Sequence, residues 1–335
     1  MKYVILGKTG LRVSRIGFGG IPIQRATAET AIKLVDALLD AGVNYIDTAR
    51  GYTVSEAFLG AALEGRRARF VLATKSMART CAAMAADIET SRTELRTDYI
   101  DLYQIHNATV QDLDTICAED GALKALLAAR DAGKIGHIGV TVHTKEAFEK
   151  ALTFDWVETL MFPYNIVETQ GEAAIAACKA RNIGFICMKP LAGGAIDDAK
   201  LALKFVLQND AVSVAIPGMY TTDEIAENVS VLDDLRPYTE AELAGLARIR
   251  GMLNHAFCRR CGYCAPCTVG INIPVLFTFD GYLSRYGLED WARGRYAAMP
   301  HKAGDCIECG VCETRCPYQL PIRQMLKQVR KDFSE

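Results

Sequence analysis

No apolar run in this chain approaches the ~20 residues that a membrane-spanning helix requires. Residues 1–10 hold too short an apolar core for a secretory signal. Neither sign of charge is in excess: 38 Lys and Arg stand against 40 Asp and Glu, a formal net charge of −2. That balance gives no electrostatic case for nucleic acid or for an anionic membrane surface. The Gly-rich turn of a doubly wound dinucleotide fold is missing too. Gly17-Phe18-Gly19-Gly20 lacks its spacing and is not followed at once by a helix. No flavin motif is present. Apolar residues are plentiful: half of the 335 residues are hydrophobic, enough for one large domain and a small one.

The chain opens with a hairpin pattern, apolar at 3–6 and 11–13 around a Gly-containing turn at 7–10. From residue 15, short apolar runs alternate with helical segments. The runs lie at 15–20, 45–47, 70–75, 100–106, 137–142, 159–162, 184–189 and 212–216. The intervening helices include 28–41, with Ile32, Val35, Leu38 and Leu39 on one face, then 121–132 and 169–181. Eight such strands predict parallel pairing with helices covering both faces. Closure into a (β/α)8 TIM barrel is the economical arrangement, and an open doubly wound sheet is the competitor. The pattern breaks at Arg236-Pro237-Tyr238, so the barrel is assigned to 1–236 and a mainly helical C-terminal module to 237–335. The module begins with a helix at 239–253 carrying Leu243, Leu246 and Ile249 on one face.

Residues 45–52, YIDTARGY, place an acid, Asp47, and a phenol, Tyr52, just beyond a strand end. A phenol is a poor proton donor near neutral pH, because its ordinary pKa is about 10. A buried cation nearby lowers that value, and a carboxylate can hold the cation in place. Lys75 ends the next apolar run and His106 the one after it. Taken singly, these are a helix-capping acid, a solvated lysine and a satisfied histidine. Together they put an acid, a phenol, a cation and an imidazole on successive strand ends, where barrel enzymes carry their chemistry.

Twelve cysteines are many for a chain without an export signal, and eight of them cluster after residue 257. Cys306, Cys309, Cys312 and Cys316, the last followed by Pro317, form a C-x2-C-x2-C-x3-C-P run. That is the bacterial ferredoxin arrangement for a [4Fe–4S] cluster. Cys258, Cys261, Cys264 and Cys267 supply a second set whose last spacing is x2. A pseudo-symmetric assignment gives one cluster Cys258, Cys261, Cys264 and Cys316, and the other Cys306, Cys309, Cys312 and Cys267. Two zinc knuckles are the alternative, since C-x2-C pairs also bind zinc. The 38 residues between Cys267 and Cys306 read as helices at 274–286 and 288–296. Their aromatic residues either pack the module onto the barrel or form a docking face. Cys81, Cys117, Cys178 and Cys187 read as core residues, and Trp156 and Trp291 as packing.

With GVNYIDTARGYTVSE, ATK and YQIHN around them, Asp47, Tyr52, Lys75 and His106 resemble the catalytic tetrad of the aldo/keto reductase family. The tail, from CGYCAPC to CIECGVCETRCPYQLPIRQML, resembles the ferredoxin-like extension of a bacterial and archaeal branch of that family. The resemblance implies an NADP- or NAD-dependent reductase acting on a small-molecule carbonyl or alcohol. Tyr52 is then the general acid, Lys75 its tuning cation, Asp47 the partner of Lys75, and His106 the group that orients the carbonyl. Cofactor contacts carried over are Thr141, Pro190, Leu191, Gly193, Gly218, Glu227 and Asn228. Glu224 replaces an arginine common in the family, which puts a 2′-phosphate in question. Val142 and Met161 stand where the family places carboxamide-clamping amides. His143 either lines the substrate pocket or is structural.

Nicotinamide moves electrons in pairs and clusters move them singly, so three readings follow. The first is a nicotinamide-dependent reductase whose clusters are structural or regulatory. The second is a redox enzyme fed through its clusters by a ferredoxin-type partner. The third is an electron-transfer or binding protein with a vestigial barrel site, against which the complete tetrad counts. A cytoplasmic location suits exposed [4Fe–4S] clusters.

Overall fold

The computed structural model describes residues 1–334. Contact clustering divides it into two units: Met1–Leu191 with Asp198–Pro237, and Ala192–Asp197 with the chain from Tyr238 onward.

The first unit opens with the antiparallel hairpin β1 (Tyr3–Ile5) and β2 (Arg12–Ser14), joined through a 3-10 turn at Gly7–Thr9. Eight parallel strands follow in unbroken order: β3 (Phe18–Gly19), β4 (Tyr45–Asp47), β5 (Val71–Ser76), β6 (Ile100–Ile105), β7 (Ile135–Thr141), β8 (Thr159–Pro163), β9 (Gly184–Met188) and β10 (Val214–Ala215). Parallel bridges Ile16↔Ala215 and Gly19↔Gly218 join the last strand to the first and close the barrel. The seam leaves no room for a side chain at Gly19, where a Cβ would lie 2.8 Å from the Ile216 carbonyl oxygen. The first and last strands are shorter than the apolar runs at 15–20 and 212–216, because regular pairing at the seam covers only two residues of each.

Alternation within the strands decides what faces the barrel axis. Tyr45, Ala73, Leu102, Met161, Ile186 and Val214 share an interior cluster with Leu6 and Val13 of the hairpin. Ile46, Leu72, Tyr103, Ile138, Leu160 and Phe185 point the other way, into the larger core beneath the helices. The same alternation carries Asp47, Lys75 and Gln104 inward, two residues beyond Tyr45, Ala73 and Leu102. The hairpin approaches so closely that a Cβ on Gly7, whose φ is +54°, would fall 2.1 Å from the Gly184 nitrogen.

The covering helices include α1 (Ala28–Asp40), α2 (Ser55–Ala62), α3 (Cys81–Glu94), α4 (Val110–Cys117), α5 (Ala122–Asp131), α6 (Lys145–Leu152), α7 (Glu172–Ala180), α8 (Ala199–Gln208) and α9 (Thr222–Ser230). Side-chain oxygens of Thr27, Thr80, Thr109, Thr144, Asp198 and Thr221 accept first-turn N–H groups, which fixes where these helices start. The buried face of α1 is Ala31, Leu34, Val35 and Leu38. The face expected from sequence included Ile32, which is 36% exposed. It also left out Leu34, because both stripes fit a 3.6-residue period and packing chose between them. Of the scattered cysteines, Cys178 and Cys187 are buried, Cys81 is half-buried and Cys117 is exposed at the end of α4. The core reading therefore fails for Cys117.

The second unit contains α10 (Glu240–Leu253), α11 (Ile273–Ser284), α12 (Glu289–Ala297), the short α13 (Val311–Thr314) and α14 (Ile322–Asp332). On α10, Leu246 and Ile249 are buried, whereas Leu243 is 53% exposed, against expectation. Two steps of three residues rotate a helix well short of two full turns, so Leu243 drifts off the stripe. Leu276, Tyr296, Ile322, Leu326 and Val329 form the unit's own core. The helical aromatics pack on one another: Tyr282 meets Trp291 edge-on at 4.7 Å and Tyr286 at 4.9 Å, and Tyr296 stacks on Phe333 at 3.9 Å.

Candidate active site and metal centre

Parallel strands all present their C-terminal ends on one side of the barrel. Asp47 is the last residue of β4, Lys75 lies one residue from the end of β5, and His106 directly follows β6. Asp47 and Lys75 are each 2% exposed and form a buried ion pair through Oδ1 and Nζ. Lys75 Nζ also donates to the Thr48 carbonyl at 2.8 Å, and Gln104 Nε2 donates to the second Asp47 oxygen at 2.9 Å. Burial pushes the Asp47 carboxyl up and the Lys75 ammonium down, and their mutual attraction opposes both shifts.

Lys75 Nζ lies 4.9 Å from the centroid of the half-buried Tyr52 ring. The rings of Tyr52 and His106 meet edge-on at 5.9 Å with an interplanar angle of 86°. All four expected residues therefore converge. Burial, then the charges of Lys75, Arg79 and Lys189, push the His106 imidazole well below its ordinary range. A neutral imidazole keeps one N–H donor and one acceptor nitrogen. Its Nδ1 is buried and finds no hydrogen-bond partner among the described residues.

The loops that hold these groups are built from residues the sequence reading passed over. Arg50 Nη1 pairs with the buried Glu56 and, at 2.8 Å, with Glu94, while its backbone N–H donates to Lys75 O at 3.0 Å. Thr74 Oγ1 donates to Glu56 at 2.6 Å. These bonds tie the Tyr52 loop to the outer side of β5. Arg79 Nη2 donates to the carbonyls of His106 at 2.9 Å and Asn107 at 3.1 Å. Thr53, Asn107 and Lys189 hold positive φ values of 43°, 51° and 54°. Such strained backbone concentrates at functional sites. The signal for Gln104 was present in the sequence, as a polar residue two places after the inward-facing Leu102 on β6.

The expected cofactor contacts are less uniform. Thr141 is 1% exposed, and its Oγ1 accepts the Asn107 N–H at 2.7 Å, which leaves the hydroxyl its proton and its second lone pair. His143 Nδ1 lies 2.8 Å from Asn107 Oδ1, so it braces the same loop. Val142 and Met161 are buried. Pro190 is buried and Leu191 half-buried in the loop after β9. Gly193 has φ +64°, and a Cβ there would meet Tyr286 Oη at 2.8 Å. Gly218 sits at the barrel seam. At the start of α9, Glu224 accepts the Thr221 N–H at 3.1 Å and also that of Tyr220, while Thr221 Oγ1 accepts the Glu224 N–H at 3.2 Å. The helix thus covers its own N-terminus with a carboxylate. One turn on, Glu227 is exposed and Asn228 buried.

In the second unit, Cys258, Cys261, Cys264 and Cys316 line one hollow with Ile273, Pro274, Phe277 and Ile322. Cys267, Cys306, Cys309 and Cys312 line another, with Val269, Val311 and Leu326. The two motifs also repeat one backbone course. Arg260 and Glu308, each two residues after a first cysteine, have φ 58° and 55°; Gly262 and Gly310, two residues further on, have φ 80° and 76°. Alternating helical and left-handed residues turn successive N–H groups toward one point, the nest geometry found around iron–sulfur clusters. Four cysteines per apolar hollow on such a loop suit a [4Fe–4S] cluster.

Residues 15–201 match the aldo/keto reductase family, and residues 257–321 match a 4Fe-4S dicluster domain. The chain is 32% identical over 194 residues to the aldo-keto reductase YhdN of Bacillus subtilis (strain 168). That match covers 52% of this chain and 57% of that protein. It is 26% identical over 282 residues to the L-galactose dehydrogenase of Arabidopsis thaliana, covering 69% of this chain and 88% of that one. Among solved structures, the holo form of aldo-keto reductase AKR11C1 from Bacillus halodurans superposes with a TM-score of 0.66 at 25% identity, covering 74% of this chain and 96% of that chain.

Proposed function

The chain belongs to the aldo/keto reductase family, and we propose that it interconverts a small carbonyl compound and its alcohol with Tyr52 as the proton donor. It is an oxidoreductase with an iron–sulfur cofactor. The observation that carries the proposal is the buried Asp47–Lys75 pair whose ammonium lies 4.9 Å from the Tyr52 ring. In that surrounding the phenolate left by proton donation is stabilised, so Tyr52 can give its proton to the developing alkoxide and recover it in the reverse direction. His106, held neutral, donates a hydrogen bond to the carbonyl oxygen and sets its angle to Tyr52. A nicotinamide dinucleotide supplies the hydride when bound. The residues proposed to hold it are Pro190, Leu191, Gly193, Gly218, Glu227 and Asn228. Two clusters are read in the second unit, on Cys258, Cys261, Cys264 and Cys316 and on Cys267, Cys306, Cys309 and Cys312. The domain division proposed is the barrel at 1–236 and the cluster module at 237–335.

An anaerobic calorimetric titration of cluster-loaded protein with NADH and with NADPH tests the cofactor reading. Saturable binding is expected, with NADH at least as tight as NADPH, because Glu224 puts a carboxylate at the α9 N-terminus where a 2′-phosphate gains from free N–H groups. The apolar Val142 and Met161 favour a second reading, in which a ferredoxin-type partner feeds the barrel site through the clusters. No binding at millimolar nucleotide, with turnover on reduced ferredoxin, would establish that second reading instead.

The His106 assignment carries a pH consequence. Its pKa lies well below the ordinary value of about 6.5, so the ring is neutral at and above that pH and gains its charge only as pH falls through the lowered value. The kcat/KM for carbonyl reduction is therefore expected to show no limb centred near pH 6.5. A limb at that pH, lost in His106→Gln, would show an ordinary imidazole and contradict the assignment.

A further inference from the structure

We propose that Gln104 is a positioning residue of this site: its amide keeps Asp47 a carboxylate, and Asp47 in turn keeps Lys75 a cation against the Tyr52 ring. The inference rests on the reading of Tyr52 as the proton donor and adds what maintains it.

Burial alone favours transfer of the proton from Lys75 to Asp47, which would leave a neutral acid and a neutral amine. A neutral amine no longer stabilises a phenolate. Two contacts act against that transfer. The Thr48 carbonyl accepts from Lys75 Nζ at 2.8 Å and favours the ammonium. Gln104 Nε2 donates at 2.9 Å to the Asp47 oxygen that Lys75 does not hold, and favours the carboxylate. Turned over, the amide oxygen could accept only from a protonated Asp47, so the orientation with Nε2 toward Oδ2 is the one that favours the carboxylate.

Stability does not account for a glutamine here. Gln104 is fully buried, two residues beyond the interior Leu102 and in register with Lys75 on β5 and Gly139 on β7. Its Oε1 has no partner among the described residues, a cost that an apolar side chain of the same length would avoid. The neighbouring strand makes space for it. Gly139 pairs with Gln104 in register, and a Cβ there would fall 3.0 Å from Gln104 Cγ and 2.2 Å from Thr159 Oγ1. A buried, half-satisfied amide with room cleared beside it is understandable through the bond it donates to Asp47. Other ionisable groups face the pair. Glu56 on α2 acts electrostatically on Lys75, Asp47 in turn acts on the buried Tyr45 of β4, and Tyr52 and His106 lie beyond the strand ends.

The test is a pH titration of Tyr52 itself, followed by NMR in full-length, cluster-loaded protein with 13C at the tyrosine ζ carbon. The resonance is assigned by its loss in Tyr52→Phe. The native Tyr52 midpoint is expected below the ordinary phenol value of about 10. Gln104→Met is expected to raise it by about one pH unit, and Gln104→Leu, which adds no bulk, gives the same reading should Met fail to fold. A lowered native midpoint that both substitutions leave in place overturns this proposal alone. A native midpoint at or above about 10 overturns the proton-donor reading and this proposal with it. The readout does not depend on substrate identity, and loss of packing alone would not move it in a defined direction.

Discussion

Replacing Tyr52 by Phe is expected to lower carbonyl reduction by about 10²–10⁴-fold in kcat, the range for loss of a positioned proton donor. Iron content and nucleotide affinity should be unchanged. The substitution is clean for a structural reason. The ring is retained, so its 4.9 Å approach to Lys75 and its 5.9 Å edge contact with His106 survive. Lys75→Met is a poorer test, because it leaves Asp47 buried without its counter-ion, a change that typically costs about 3–5 kcal/mol of stability. Steady-state turnover of Tyr52→Phe under anaerobic conditions, with cluster absorption monitored alongside, reads the two effects apart. Turnover equal to that of the native enzyme would remove Tyr52 from the chemistry.

The second large effect concerns the cysteines, where the interleaved ligand sets make non-additivity informative. Cys264 and Cys267 are three residues apart yet line different hollows, whereas Cys264 and Cys316 line the same one. Each serine substitution alone is expected to reduce iron from about eight atoms per chain to about four. Cys264→Ser with Cys316→Ser should remove no more than either alone, since both empty one site. Cys264→Ser with Cys267→Ser should remove nearly all of it. Iron quantification and reduced-state electron paramagnetic resonance distinguish these cases. If the adjacent double variant kept half the iron and the distant one lost all of it, the clusters would be built on contiguous motifs instead. Loss of both sites should also loosen α11 and α14, because Ile273 lines both hollows and Leu326 one of them.

The sequence by itself determined the alternation of strands and helices, the four residues that converge at the strand ends and the two cysteine motifs. The reasons are local. Strands buried on both faces must be apolar throughout, cluster ligands must recur at fixed spacing along the chain, and Asp47, Lys75 and His106 each mark a strand end. The helix at 239–253 was legible to within a residue, from its capping threonine, Thr239, to Leu253.

Tertiary structure decided what neighbours across the barrel do. No local pattern says that Gln104 would bind Asp47, 57 residues away. Nor does one say that Arg50 would draw Glu56 and Glu94 together beneath the Tyr52 loop, or that Thr141 would accept the Asn107 N–H. The buried stripe of α1 is a similar case. Two stripes fit its period, and Leu34 was chosen over Ile32 by the surface the helix lies on. Charge and polarity at a buried site are settled by partners brought from distant strands, because only there does removal from water make each hydrogen bond decisive.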